Sequence, residues 1–147
     1  MKNSFKIPQL LLRIALGMGF LATVSDRLGL LPSGTRNVEW GNWGSFINYT
    51  ATLMPFLDRP AVNVMGGIAT LLETTIGLLL ITGFKTRQAA IASCGLTFVF
   101  ALAMTVFLGI KAPLNFAVFS TCTGSLLLAT IAVYDWSIDS FFTGAGK

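Results

Sequence analysis

Apolar residues dominate four stretches of the chain, about Pro8 to Leu31, Ala61 to Gly83, Gln88 to Ile110 and Pro113 to Tyr134. Each is close to the roughly 20 residues that a helix needs to cross a bilayer. The residues between them punctuate helices rather than strands. Pro60 and Pro113 suit a first helical turn, Gly83 a C-terminal cap, and Thr86 the cap of the next helix. The alternating period of about 10 residues that a membrane β-barrel requires is absent. The pattern predicts an all-α protein, an integral membrane four-helix bundle in a single domain over residues 1–147.

The one long connection, Pro32 to Pro60, carries a pattern of its own. Trp40, Trp43, Phe46, Ile47 and Met54 recur at helical spacing, with Asn42 placed as an N-cap and Pro55 as a stop. This predicts a short amphipathic helix in the first extramembrane loop. Its tryptophans and Tyr49 favour the headgroup layer, and an interface anchor is preferred over the alternative, a lid across the bundle mouth. Residues Ser137 to Lys147 are polar enough to leave the membrane and are expected to fray.

Composition sharpens this picture. Of 147 residues, 54% are hydrophobic and only 11% charged, against about 25% charged in an average soluble domain. Ten Lys and Arg against six Asp and Glu give a net charge of +4. The charges stand singly or in pairs at the ends of apolar runs, so they mark topology and form no basic patch for nucleic acid. Arg13 interrupts the first apolar run and no small-x-small cleavage site ends it, which makes that run a retained helix rather than a signal peptide. Lys2, Lys6, Lys85, Arg87 and Lys147 fall on one side. By the positive-inside rule both termini are then cytoplasmic, in a bacterial inner membrane.

The chain has no histidine, which removes the commonest metal ligand and the usual acid or base near neutral pH. Cys94 and Cys122 form no Cys-x-x-Cys pair and are expected to be buried structural thiols. Phosphate-binding glycine loops, serine elbows and metal-ligand clusters are missing, so no metal site and no self-contained enzyme is expected.

Polar residues inside the helices are the remaining candidates. Glu73 lies near the middle of the second helix, where a carboxylate costs about 2.5 to 3.5 kcal/mol on insertion scales. It shares a face with Gly66, Ala69, Thr70 and Gly77, a small-residue seam that points it into the bundle. Arg13 is its expected partner. In an antiparallel pair of the first two helices their depths differ by about five residues, roughly 7 Å, which an arginine largely spans. The alternative leaves Arg13 snorkelling to the interface. Asp26 and Arg27 point about 100° apart and need different neighbours. Ala89, Ser93, Thr97, Ala101 and Thr105 form a packing stripe on the third helix, and Asn115 and Thr121 add polar groups to the fourth.

Several segments resemble the DoxX family of small four-helix membrane proteins. These are Leu11-Leu12-Arg13-Ile14-Ala15-Leu16-Gly17, the central Glu73, the run from Gly77 to Arg87, Phe100-Ala101-Leu102-Ala103-Met104 and Lys111-Ala112-Pro113-Leu114. The likeness spans about Leu10 to Leu128, and it departs where the family often carries a glycine before the basic residue closing the first helix; here the chain reads Thr23-Val24-Ser25-Asp26-Arg27. The resemblance implies an accessory or quinone-site subunit of a membrane oxidoreductase system, with no redox centre of its own. The implied cofactor is a quinone, and the implied partners are the lipid bilayer, oxidoreductase subunits or a second copy of the chain. Glu73, Arg13, Asp26, Arg27, Asn115 and Thr121 are the candidate polar site. A small membrane transporter or an assembly protein is the competing reading.

Overall fold

The computed structural model describes residues 6–31 and 38–143. All regular structure among them is helical, in the order α1 (Lys6–Arg27), α2 (Trp43–Leu53), α3 (Arg59–Thr82), α4 (Thr86–Leu108), α5 (Lys111–Asn115), α6 (Val118–Ala129) and α7 (Ile138–Thr143). The helices α1, α3 and α4 have 22, 24 and 23 residues and are long and apolar enough to cross a membrane. With α6 they make a bundle in which α1 lies along α3 and α4 along α6. Large apolar residues such as Leu71, Val106 and Leu127 stand exposed around it, as a surface solvated by lipid requires.

The helix ends follow local chemistry. Asn42 caps α2 by accepting from the Ser45 amide at 2.9 Å, and Asp58 caps α3 by accepting from that of Ala61 at 3.1 Å. Gly83 ends α3 in the left-handed region at φ 69°, its amide donating to Leu79 O at 2.9 Å. α1 stops at Arg27, short of the expected Leu31, because Gly29 turns the chain at φ 69°.

The fourth expected helix, Pro113 to Tyr134, is not continuous. It is broken between α5 and α6 at Ala117, which has φ 51°, and α6 ends at Ala129. Its 12 residues span about 18 Å, less than the roughly 30 Å of a hydrocarbon core. Past Ala129 the chain folds back on the helix end through Tyr134, and side chains of α1 hold the backbone beyond. The Tyr134 hydroxyl donates to Leu128 O at 3.0 Å, Gln9 Nε2 donates to Asp135 O at 2.8 Å and Arg13 Nη2 to Trp136 O at 2.7 Å. Lys6 adds an ion pair with Asp135 at 3.5 Å.

The C-terminal segment does not simply fray over its described part. The Asp139 carboxylate, in α7, accepts from the backbone amides of Lys85 and Thr86, both at 2.8 Å. It therefore caps α4, the role expected of Thr86. Thr86 instead is the first helical residue, and its buried hydroxyl has no hydrogen-bond partner among the described residues. The two charge-assisted bonds stabilise Lys85 in its left-handed conformation at φ 48°. Lys6, Lys85 and Arg87 lie at this end of the bundle, while Lys2 and Lys147 fall outside the described residues, as does Arg36.

The depth of α1 against α3 is set by glycines. A methyl group on Gly17 would meet Gly77 O at 2.9 Å and Ile81 Cγ1 at 2.6 Å, while Arg13 lies against Gly83. This backbone contact leaves no room for a side chain. Gly17→Ala is expected to force the helices apart and cost about 1–3 kcal/mol in detergent unfolding. Gly19→Ala on the same helix, with nothing within 4 Å of its added carbon, is expected to be near neutral; equal losses in the two would refute the glycine seam.

Candidate functional site

The bundle has two apolar cores rather than one. Leu16, Phe20, Ile76, Leu80 and Leu128 belong to the larger, toward the chain ends, whereas Phe46, Ile47 and Val62 clamp α2 onto the far end of α3. Between them lies a cavity of about 670 Å³, with Leu16 and Phe20 on one wall and Phe46 on another. Its lining is mainly apolar, including Met65, Phe100, Met104 and Phe116, with polar groups from Arg27, Glu73, Tyr49 and Thr97 among them.

Arg27, the last residue of α1, organises the polar wall. Its Nη2 lies 2.7 Å from Glu73 Oε2, and both side chains are almost wholly buried, at 3% and 4% exposure. Nη1 donates to Thr70 Oγ1 at 3.1 Å, while the Thr70 hydroxyl donates to Gly66 O at 2.8 Å. The guanidinium carbon sits 4.2 Å from the Phe46 ring centroid and 5.5 Å from that of Trp40, two cation–π contacts with a pair of edge-to-face rings that replace lost water. Charges this deep survive only when paired and hydrogen-bonded.

The partner of Glu73 is thus Arg27, not Arg13. The reason is register. Arg13 lies beside Gly83 and Gly17 beside Gly77, so α1 runs along α3 with Arg27 opposite Thr70 and Glu73. Ten residues of helix, about 15 Å, separate the level of Gly83 from that of Glu73. That is twice the offset expected from aligning the helix ends, and too far for Arg13. Buried Arg13 instead holds the backbone at Trp136.

Asp26 points elsewhere than its neighbour. Its carboxylate accepts from the backbone amides of Glu39 and Gly41 at 2.8 Å each, and from that of Trp40 at 3.4 Å. It ties the loop before α2 to the end of α1 and so places Trp40 beside Arg27. Asn115 is exposed on α5 and does not line the cavity. Thr121 does line it, its hydroxyl donating to Ala117 O, one turn back at the start of α6, at 3.2 Å.

The α2 helix closes one wall of the cavity through Phe46, Tyr49, Thr50 and Leu53. It keeps aromatic contacts on both sides, with Trp40 and Phe46 rings 5.5 Å apart and Tyr49 and Phe116 rings 6.2 Å apart. The expectation of a mere interface anchor missed this inward face. Two donors on side chains that line the cavity have no partner among the described residues, the Arg27 Nε and the Tyr49 hydroxyl, and both atoms are buried behind its surface. Burial, with the Glu39 carboxylate adding to it, pushes the Tyr49 phenol above its ordinary pKa, so it holds its proton.

The chemistry on offer is a half-open, mainly apolar cavity bordered by a neutralised ion pair, with unmet donors buried just behind its surface. Among the described residues no group of three or more His, Cys, Asp or Glu could hold a metal ion. Tyr49 was legible in the sequence only as an aromatic anchor. Thr70 was legible as a seam residue, since it stands three positions from Glu73. Cys94 and Cys122, expected as buried thiols, are half-buried and lie with their sulfurs 3.5 Å apart.

No protein-family model, curated protein or solved structure matches this chain.

Breaking the ion pair from one side leaves a buried charge uncompensated. Glu73→Ala is expected to destabilise the protein by about 3–5 kcal/mol in a detergent denaturation series, with the Arg27→Met, Glu73→Leu double variant recovering most of the loss. A double variant as weak as the single one would count against pairing as the cause.

Proposed function

We propose that this chain is a bacterial inner-membrane protein that binds a small lipophilic ligand of the quinone class between its helices. In this reading it serves a membrane oxidoreductase system as an accessory or quinone-site subunit, in the manner implied by its resemblance to DoxX proteins. The observation that carries the reading is the cavity of about 670 Å³ with the Arg27–Glu73 pair on its wall.

The chemistry favours a ligand with an apolar body and acceptor oxygens. The lining supplies apolar area for the body, and Arg27 Nε and the Tyr49 hydroxyl are donors without acceptors among the described residues. A buried donor left unmet costs about 1–3 kcal/mol, which a ligand carbonyl would relieve once a side-chain rotation turns the donor into the cavity. Quinones carry carbonyl oxygens on a flat apolar ring, and Trp40, Phe46 and Tyr49 offer aromatic faces around it. Glu73 neutralises Arg27, so a neutral ligand enters without importing or stranding charge.

The orientation we assign places the Lys6, Lys85 and Arg87 end in the cytoplasm, by the positive-inside rule. Both chain ends then share that side.

Trp40 on the cavity wall provides the readout. Titration of the detergent-solubilised protein with decylubiquinone is expected to quench tryptophan fluorescence saturably. Tyr49→Phe is expected to weaken binding about 5- to 10-fold, the loss of one hydrogen bond. Quenching that never saturates, or that Tyr49→Phe and Glu73→Gln leave unchanged, would overturn the proposal.

A further inference from the structure

The tight packing of α4 on α6 brings together two residues that stand 28 positions apart. Their seam is made of small side chains: Ala90, Ser93 and Ala101 are buried on α4, and Ser125 on α6. Ser93 and Ser125 share a hydrogen bond at 2.6 Å in its interior. At its outer edge Cys94 and Cys122 touch, with sulfurs 3.5 Å apart and the Cys122 thiol also 3.5 Å from Cys94 O. Both are free and half-buried.

The edge they occupy faces outward. Ile91 and Phe98, a turn either side of Cys94, are 56% and 52% exposed, and Leu126, a turn beyond Cys122, is 55% exposed. Cys94 is the ninth residue of a membrane-length helix, about 12 Å from its start. The two thiols therefore open toward the hydrocarbon, away from water and from charged thiol reagents.

We propose that Cys94 and Cys122 form a dithiol–disulfide couple whose oxidant is a lipid-soluble quinone. In the step, both S–H bonds break and one S–S bond forms. The dithiol loses two electrons and two protons, and the quinone takes up both and leaves as the hydroquinone. Reactants and products are all neutral, which suits a site where a charge is costly. A disulfide requires the sulfurs to close to about 2.05 Å, so a shift of about 1.5 Å by side-chain rotation and helix approach completes it. Because the seam is already closed, with Ser93 and Ser125 at 2.6 Å, most of that shift falls to χ1 rotation of the two cysteines. The oxidised form staples the short α6 to α4.

This goes beyond the cavity reading, which gives the chain no redox group of its own, and it does not depend on what occupies the cavity. The full-length protein in phospholipid nanodiscs is incubated anaerobically with decylubiquinone, then labelled with N-ethylmaleimide and weighed intact. The expected result is two adducts before treatment and none after, one hydroquinone formed per chain and no cross-linked dimer. Cys94→Ser and Cys122→Ser should each keep one adduct and form no hydroquinone. Two adducts surviving treatment, or loss of adducts only through dimers, would overturn the couple. Saturable quenching of the Cys94→Ser variant by the same quinone, alongside unreacted wild-type thiols, would sink the couple while leaving the cavity reading intact. Thiol oxidation without saturable quenching would do the reverse.

Discussion

A carboxylate and a guanidinium placed in a membrane-spanning bundle must meet, and the meeting of Arg27 with Glu73 governs much of this molecule. It fixes the depth of α1 against α3, together with the close contact of Gly17 and Gly77. The first part of α3 then projects beyond the end of α1 and would present bare apolar surface. α2 covers it, with Phe46 and Ile47 closing over Val62 and Gly66. At the opposite end the first turns of α1 reach past α3 and need partners of their own. Gln9 and Arg13 find these in the backbone carbonyls of Asp135 and Trp136.

The cavity is a product of that offset. One core fills the space among α1, α3, α4 and α6, the other pins α2 to α3, and the two do not meet. The ion pair lies on the wall between them, with part of its hydrogen-bonding capacity spent on protein and the Nε donor left over. The Asp26 carboxylate, by gathering three consecutive backbone amides, holds the loop that brings Trp40 over the guanidinium. Adjacent residues at the end of one helix thus have different partners, the loop before α2 for Asp26 and α3 for Arg27, on the border of the same cavity.

Polar side chains elsewhere do backbone work, as expected where water is scarce. Threonine and serine hydroxyls in α1, α3, α4 and α6 donate one turn back to their own helix, among them Thr74, Thr97 and Ser125. Asp139 supplies the acceptor that the first turn of α4 lacks. Arg13 ends up as a clasp for the chain after α6 because its level on α1 is that of Gly83, where a helix terminates and a loop begins.

How far the sequence could be read depends on whether a feature is local. The first three spans, the caps at Asn42 and Gly83, the inward face of Glu73 and the small-residue stripe of α4 were legible, whereas the Asp58 cap of α3 went unread. Each legible feature follows from helical periodicity and from chemistry within one or two turns. The partner of Glu73 was not, since two arginines lie on one stripe of α1 and only the axial offset of the helices chooses between them. The break at Ala117, the capping of α4 by Asp139 and the contact of Cys94 with Cys122 were equally hidden. None has a local signal: each is decided by segments far apart in the chain. The sequence by itself determined which face of each helix turns inward, because that is a matter of period. The tertiary structure alone decided which inward groups meet, because depth and register between helices are settled by packing, here by two glycines and one ion pair.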